Sequence, residues 1–169
     1  ASLPAESWND LYTPNLNSPV ELDAVVNGSY FRLIAEKLSR THSFGARGLT
    51  GSGRGHSAIL SQPYSPQQSF SGTNAATAQQ LMNNALMVNG IPIGWTVYWG
   101  ITDWLVPGGV WSVNGSYMDA VTDIAKSVGA FIQPDRYAKT LYIKPKYPVL
   151  PWNWASTAAD IIIPPDVVE

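Results

Sequence analysis

The chain has 169 residues, which suits one domain or two small ones and is enough to bury a hydrophobic core. Charged residues make up 13% of it, about half the usual share, and the formal net charge of −2 provides no basic surface for nucleic acid. The absence of cysteine excludes disulfide frameworks and thiolate metal sites. No run approaches the roughly 18 apolar residues of a membrane-spanning helix.

The first part of the chain is predicted to be rich in β-structure. Residues 1–19 contain many Pro, Asn and Ser without a clear period, which is typical of an arm or linker. Residues 22–35 alternate on both sides of Asn27-Gly28, a dipeptide that between two alternating runs indicates a β-hairpin. A third extended run carries the glycines of "GLTGSGRGHSAIL", residues 48–60. We therefore predict a β-rich portion over residues 20–72.

A first helix is predicted within "TNAATAQQLMNNALMVNG", residues 73–90. Thr73 or Asn74 can cap its start, and Asn89-Gly90 supplies a stop. The short strand "WTVYW" follows at residues 95–99. The predicted apolar side of this helix comprises Ala78, Leu81, Ala85 and Val88, with Met82 and Leu86 beside them.

A second helix is predicted in "SYMDAVTDIAKSVG", where Ser116 and Asp119 form an acidic variant of the capping box and Gly129 ends the helix. The strands "AFIQP" and "TLYIKPKY" come next, joined by a polar turn. This order predicts an α+β fold: β-barrel-like strands, then a small βαββ-type sheet with two helices on one face. The α+β portion is placed at residues 73–148, and a Pro/Trp-rich tail or linker at residues 149–169.

The glycine-rich stretch does not have the spacing of a nucleotide-binding loop. Gly48 and Gly53 have the Walker A gap, but Arg54-Gly55 stands where Lys-Ser/Thr is required. The dinucleotide fingerprint fails as well, because His56 occupies its third glycine position. We therefore interpret these glycines as serving the backbone in twisted or bulged strand ends, and predict no cofactor.

No catalytic or metal site is predicted. His42 and His56, the only histidines, have no partner at metal-ligand spacing. Asp119 and Asp123 are one helical turn apart, but capping and the helix dipole account for them. An acid/base pair for glycoside hydrolysis would need two carboxylates in a cleft, and nothing in the sequence places such a pair. The expectation is a protein that is not an enzyme.

Tryptophan is the most conspicuous feature of the second half. Indole rings there serve most often in a core or a subunit interface, and the alternative is stacking on sugars. The candidate interface or ligand aromatics are Trp95, Trp99, Trp104, Trp111, Trp152 and Trp154.

From Trp104 onward the sequence resembles the tail-tip and baseplate hub proteins of tailed bacteriophages, notably siphophages and Mu-like relatives. The pattern comprises Trp-Leu-Val-Pro at residues 104–107, then a helix with Ala-Val-x-x-Ile-Ala at residues 120–125. Gly129, a hairpin and a Pro-x-Tyr-Pro-x-x-Pro-Trp tail at residues 145–152 follow. The order of elements from about residue 20 is similar to the family as well.

The resemblance implies a structural protein of the virion, assembled in the cytoplasm of the bacterial host. Such hubs form a trimeric ring at the tail tip, through which the tape measure and then DNA pass. The implied partners are further copies of this chain and neighbouring tail proteins, with Arg54 as a candidate charge across the interface. We expect the sequence to be part of a longer hub chain. The alternative is a carbohydrate- or receptor-binding module at the tail tip.

Overall fold

The computed structural model describes residues 2–3, 19–44, 46–147, 149 and 151–158. Its first part is a four-stranded antiparallel sheet with the order β1-β4-β3-β2. The strands are β1 (Ser2–Leu3), β2 (Val20–Val26), β3 (Ser29–Ser43) and β4 (Ala46–Gly55). Within the described ranges this sheet is open and is not closed into a barrel.

The predicted hairpin is confirmed. Val26 pairs with Ser29, so Asn27 and Gly28 form the two-residue turn between β2 and β3. Their φ angles are +49° and +75°, the left-handed values that a type I′ turn requires at both positions. The Asn-Gly dipeptide thereby fixes the register of the whole β2–β3 pair.

Gly53 of β4 lies at a close backbone contact with β3. Ala35 pairs with Gly53 and Lys37 with Ser52, which leaves Glu36 as an extra residue in a β-bulge. A Cβ added to Gly53 would lie 1.9 Å from the carbonyl oxygen of Ile34. The interpretation that Gly53 serves the backbone is confirmed, although the bulge itself lies in the neighbouring strand β3.

The rest of the described chain alternates short strands with two α-helices. A 3-10 helix (His56–Leu60) follows β4 directly, and another (Pro151–Ser156) comes last. The helices are α1 (Ala78–Ala85) and α2 (Tyr117–Lys126). The strands are β5 (Gln68–Ser71), β6 (Ala76–Thr77), β7 (Met87–Val88), β8 (Ile91–Pro92), β9 (Thr96–Trp99), β10 (Leu105–Val106), β11 (Ser112–Gly115), β12 (Ala130–Pro134) and β13 (Thr140–Pro145).

Helix α1 is shorter than the sequence pattern predicts at both ends. Its cap is Thr77, not Thr73 or Asn74, because β6 pairs with β10 up to Thr77 and keeps the preceding backbone extended. Asn89 and Gly90, at φ +50° and +79°, form the turn of the β7–β8 hairpin instead of stopping the helix. Val88 consequently lies in a strand and is exposed.

Helix α2 begins as the sequence predicts. The Ser116 hydroxyl accepts a hydrogen bond from the Asp119 N–H at 3.3 Å, and an Asp119 carboxylate oxygen accepts from the Ser116 N–H at 2.8 Å. Gly129 at φ +69° follows the last turn, and its N–H donates to the Lys126 carbonyl. Both ends predicted for this helix are therefore confirmed.

The core lies between the helices and a three-stranded sheet of order β12-β13-β9, in which β9 runs parallel to β13. Leu141 and Ile143 of β13 point toward the helices, while Tyr142 faces Tyr98 on the other side of the sheet. The predicted α+β class is confirmed. Strand β5, before the predicted boundary at residue 72, pairs with β11, and the domain division stays a prediction. The fully buried core residues are Leu60, Ala78, Leu81, Met82, Leu86, Trp95, Val121, Ile124, Ala125, Leu141 and Ile143.

Candidate interaction surfaces

A wide open cavity lies where the three-stranded sheet ends. Strand β9 ends at Trp99, α2 is followed by Gly129, and β13 ends at Pro145, so three chain segments diverge here. The cavity between them has a volume of about 1010 Å³, and its lining is mostly apolar. Trp104 and Tyr147 provide the aromatic side chains on its wall, and Asp103 and Lys146 the charged ones. The shape and lining suit an apolar or aromatic-binding partner group.

Asp103 fixes one wall of this cavity by tying it to the start of α1. Its Oδ1 accepts hydrogen bonds from the backbone N–H groups of Gln79 at 3.1 Å and Trp104 at 2.9 Å. Burial acts to raise the pKa of Asp103, but hydrogen bonds from Thr77 and these backbone groups outweigh it and lower the pKa below its ordinary value. The carboxylate is therefore a structural anion that caps the helix.

The tryptophans singled out in the sequence divide into two groups. Trp95 is buried in the core, and Trp99 and Trp104 are half-buried with ring centroids 5.7 Å apart. Trp111 is half-buried too, and its Nε1 donates to the Asp123 carboxylate at 3.0 Å. These four rings contribute to the core and its rim.

Trp152 and Trp154 form the second group, with 75% and 53% of their surface exposed. The Trp154 ring lies 6.0 Å from that of Tyr147, and its Nε1 donates to the Val149 carbonyl. This arrangement holds an aromatic pair at the C-terminal end of the described chain, next to the cavity. Of the candidate aromatics, these two have the exposure that an interface residue needs.

Arg54 makes its described polar contacts within its own chain. Its guanidinium pairs with Glu36 at 2.6 Å and donates to the carbonyl of Gln62 at 3.0 Å. The pair raises the pKa of Arg54 and lowers that of Glu36, since each stabilises the charged form of the other. Arg54 thus joins the bulge at Glu36 to the segment after the 3-10 helix. Its role as an interface charge stays a prediction.

A second exposed surface surrounds the tip of the β2–β3 hairpin. Arg32 binds Asp23 through two hydrogen bonds of 2.8 and 3.0 Å and also donates to the Tyr137 hydroxyl at 3.0 Å. The Tyr137 ring meets the Tyr30 ring edge-on at 6.1 Å. The hydrogen bond with Asp23 raises the pKa of Arg32, and the same hydrogen bond lowers the pKa of Asp23. Around this cluster Val25, Val26 and Tyr30 are more than half exposed.

The two histidines lie in different surroundings. His42 is exposed in β3, whereas His56 is buried at the start of the 3-10 helix. Among the residues that the structure describes, no group of three or more His, Asp or Glu side chains could hold a metal ion. Asp119 and Asp123 have the structural partners given above. In the described part of the chain, no helix has the length and apolar character of a membrane span.

Comparison with known proteins finds similarity in structure alone. No family model matches the chain, and no curated protein matches it. Among solved structures, the tail protein from Neisseria meningitidis MC58 matches with a TM-score of 0.55 and 22% identity. The chain has the fold of part of that tail protein. The match covers 77% of this chain and 38% of the tail protein, so the chain spans well under half of its length.

Sequence reasoning missed the contact between Arg32 and the turn that carries Tyr137. These residues are 105 positions apart, and no local pattern links them. The cavity could not be predicted from the sequence either, because it forms where three segments that are distant in the sequence diverge. The closely spaced prolines and aromatic residues from residue 145 onward did indicate the aromatic pair next to the cavity, because Tyr147, Trp152 and Trp154 are near each other in the sequence.

Proposed function

We propose that this chain is a structural component of a bacteriophage tail, and more narrowly part of the baseplate hub at the tail tip. The observation that carries the proposal is the fold shared with a tail protein over 77% of the chain. The sequence resemblance to tail-tip hubs from Trp104 onward supports the narrower role. On this proposal the chain acts through assembly contacts, without catalysis, in the tail of the virion, after assembly in the cytoplasm of the bacterial host.

The composition of the surface supports a role in an assembly of several subunits. Charged residues are 13% of the chain, while large apolar side chains lie exposed at the hairpin tip and near the cavity. Exposed apolar groups rimmed by few charges are typical of surfaces that a partner covers. We propose that three copies form a ring with these surfaces turned to each other and to neighbouring tail proteins, and that DNA passes through the ring.

Location in the particle tests the tail role directly. Antibodies against this chain would be applied, with gold labels, to phage particles induced from cells that encode it, and the particles imaged by electron microscopy. Label at the distal tail end is the expected result. Label along the tail shaft would retain the tail role and contradict the hub. Purified tailed particles that lack the chain by mass spectrometry would contradict both.

Oligomeric state tests the ring. Size-exclusion chromatography with light scattering, across a hundred-fold range of concentration, should show a trimer in equilibrium with monomer. Trp152→Ser should weaken the trimer by at least ten-fold in dissociation constant, because a large exposed indole is the kind of side chain that dominates interfaces. Phe44→Ser, which removes another exposed aromatic in the β3–β4 turn, is the matched control. A monomer at every concentration would contradict ring formation by this chain.

A second candidate function, binding of a carbohydrate or receptor, is favoured by the cavity of about 1010 Å³ beside exposed Tyr147. Sugars stack on aromatic faces, and Lys146 and Thr102 could bond hydroxyl groups. Tryptophan fluorescence titrated with host surface polysaccharide would report binding. Tyr147→Ala should abolish the change in fluorescence. Tyr98→Ala, at an exposed tyrosine of the three-stranded sheet, should leave that change intact. No quenching with any polysaccharide of the host surface would contradict this candidate.

A further inference from the structure

His56 is a buried imidazole beside the carboxylate of Glu21. Its side chain is 0% exposed, and neither ring nitrogen has a hydrogen-bond partner among the described protein atoms. The oxygen of Glu21 in β2 lies 3.5 Å from Nε2, and the Trp95 ring lies 5.4 Å from the imidazole ring. Buried polar groups without partners are rare and costly, so the position calls for a reason.

The place of His56 in the fold suggests that reason. It begins the 3-10 helix whose later residue Leu60 belongs to the core, while Glu21 belongs to the four-stranded sheet. The imidazole therefore lies at the seam between these two parts. A change of its charge acts on both at once.

Besides the hydrogen bond from Arg54 to the Gln62 carbonyl, contacts between β3 and the β12–β13 turn also connect the two parts. The Arg32 N–H donates to the Arg136 carbonyl at 2.7 Å, and the Arg32 side chain binds Tyr137. The Arg136 guanidinium also lies over the Phe31 ring at 5.7 Å. We call these contacts between β3 and the β12–β13 turn the junction. These described contacts lie mostly at the surface, which is the kind of contact set that opens locally.

The charges around His56 are mixed. Glu21 and Asp23 of β2 are negative, while Arg32 of β3 and Lys139 of the β12–β13 turn are positive. Burial is the largest influence and lowers the pKa of His56, Lys139 and Arg32 act in the same direction, and Glu21 opposes them. In the closed structure the imidazole is therefore neutral near pH 7.

We propose that His56 is an acid-sensitive latch: protonation of its buried imidazole opens the junction and releases the four-stranded sheet from the β12–β13 turn, while the helical core stays folded. The sign follows from linkage. When the junction opens, His56 meets water and regains an ordinary pKa of about 6.5. Below that pH the open state takes up a proton more readily than the closed state, so acid favours opening.

Amide hydrogen exchange by NMR between pH 7 and pH 5 tests the latch. After correction for the intrinsic pH dependence of exchange, the protection of the Arg32 amide, which bridges the junction, should fall at least three-fold and at most about 25-fold, the limit for one proton with an open-state pKa of about 6.5. The Ile124 amide in the middle of α2 should keep its protection. An Arg32 amide with constant protection, or one that falls in step with Ile124, would overturn the proposal.

Three variants sharpen the result. His56→Gln should remove the pH dependence at Arg32, and His42→Gln, at the exposed histidine of β3, should keep it. Glu21→Gln should steepen it, because the closed state loses the carboxylate that compensates an imidazolium. Should His56→Gln fail to fold, the wild-type and Glu21→Gln profiles still decide. A Glu21→Gln profile shallower than that of the wild type would contradict the latch.

Discussion

The two parts of this molecule use opposite means to hold their shape. Around the helices, eleven buried residues of the described ranges form one cluster, from Leu60 to Ile143. In the four-stranded sheet, Ile34 is the one described residue among the fully buried apolar side chains. That sheet relies instead on long strand pairing, the Asn27-Gly28 turn and the ion pairs of Arg32 and Arg54.

The difference teaches which part can change shape without loss of the fold. Burial of apolar surface contributes about 25 cal/mol per Å², so the helical part has the larger share of the stability. Exposed ion pairs contribute little individually. The sheet is therefore the part that we expect to move, or to gain stability from a neighbouring subunit. The following expectations could break or sharpen this contrast.

The largest expected effect comes from equal truncations in the two parts. Leu141→Ala in β13 removes a side chain with no exposure and should lower the free energy of unfolding by about 2–5 kcal/mol. Leu22→Ala in β2, where leucine is half-buried, should cost about 1 kcal/mol. Urea unfolding followed by circular dichroism measures both. Equal losses would mean that the sheet is as tightly packed as the helical core.

Within the sheet, two neighbouring glycines separate strand pairing from side-chain packing. Gly53→Ala places a Cβ 1.9 Å from the Ile34 carbonyl oxygen, so the strands must part, at a cost of about 1–3 kcal/mol. Gly55→Ala meets open space at an ordinary φ of −60° and should change stability by less than about 0.5 kcal/mol. Thermal unfolding of both variants provides the comparison. A Gly55→Ala variant as unstable as Gly53→Ala would refute the role given to the close backbone contact.

Local chemistry in the sequence was sufficient where one short signal decides the structure. Asn27-Gly28 predicted the β2–β3 hairpin, and Ser116 with Asp119 predicted the start of α2. The prediction for α1 was wrong at both ends because the residues on either side of the helix form short strands, in the pairs β6–β10 and β7–β8. The pairing of residues 76–77 with residues 105–106 is a long-range contact that no window around the helix contains.

The candidate surfaces were predictable only in part. The exposed Trp152 and Trp154 belong to the set singled out in the sequence, but so does Trp95, which the core buries. Composition cannot separate these indoles, because exposure depends on which face the tertiary fold leaves uncovered. The seam at His56 could not be found at all, since Glu21, His56 and Trp95 come from distant segments with no shared period.

The smallest expected effect concerns the capping box of α2, a device of the helical part that the sheet lacks. Ser116→Ala removes the hydroxyl that accepts a hydrogen bond from the Asp119 N–H. It should lower the free energy of unfolding by about 1 kcal/mol at pH 7. The hydrogen bonds from Ser116 also lower the pKa of Asp119. A carboxyl with a lowered pKa stabilises the fold above its unfolded pKa of about 3.9, and this contribution is lost as pH falls through the folded value.

The wild-type protein should therefore lose stability between pH 4 and pH 2 more steeply than Ser116→Ala, and the difference between their free energies of unfolding should shrink in acid to the part that the backbone cap contributes. Ser127→Ala is the matched control, because its hydroxyl donates to the uncharged Ile124 carbonyl at the other end of α2, at 2.7 Å, and its cost should not change between pH 4 and pH 2. Urea unfolding at a series of pH values measures both differences. A Ser116→Ala deficit that stays constant down to pH 2 would show that the hydroxyl acts on the helix backbone alone, with Asp119 adding nothing to the contrast between the two parts.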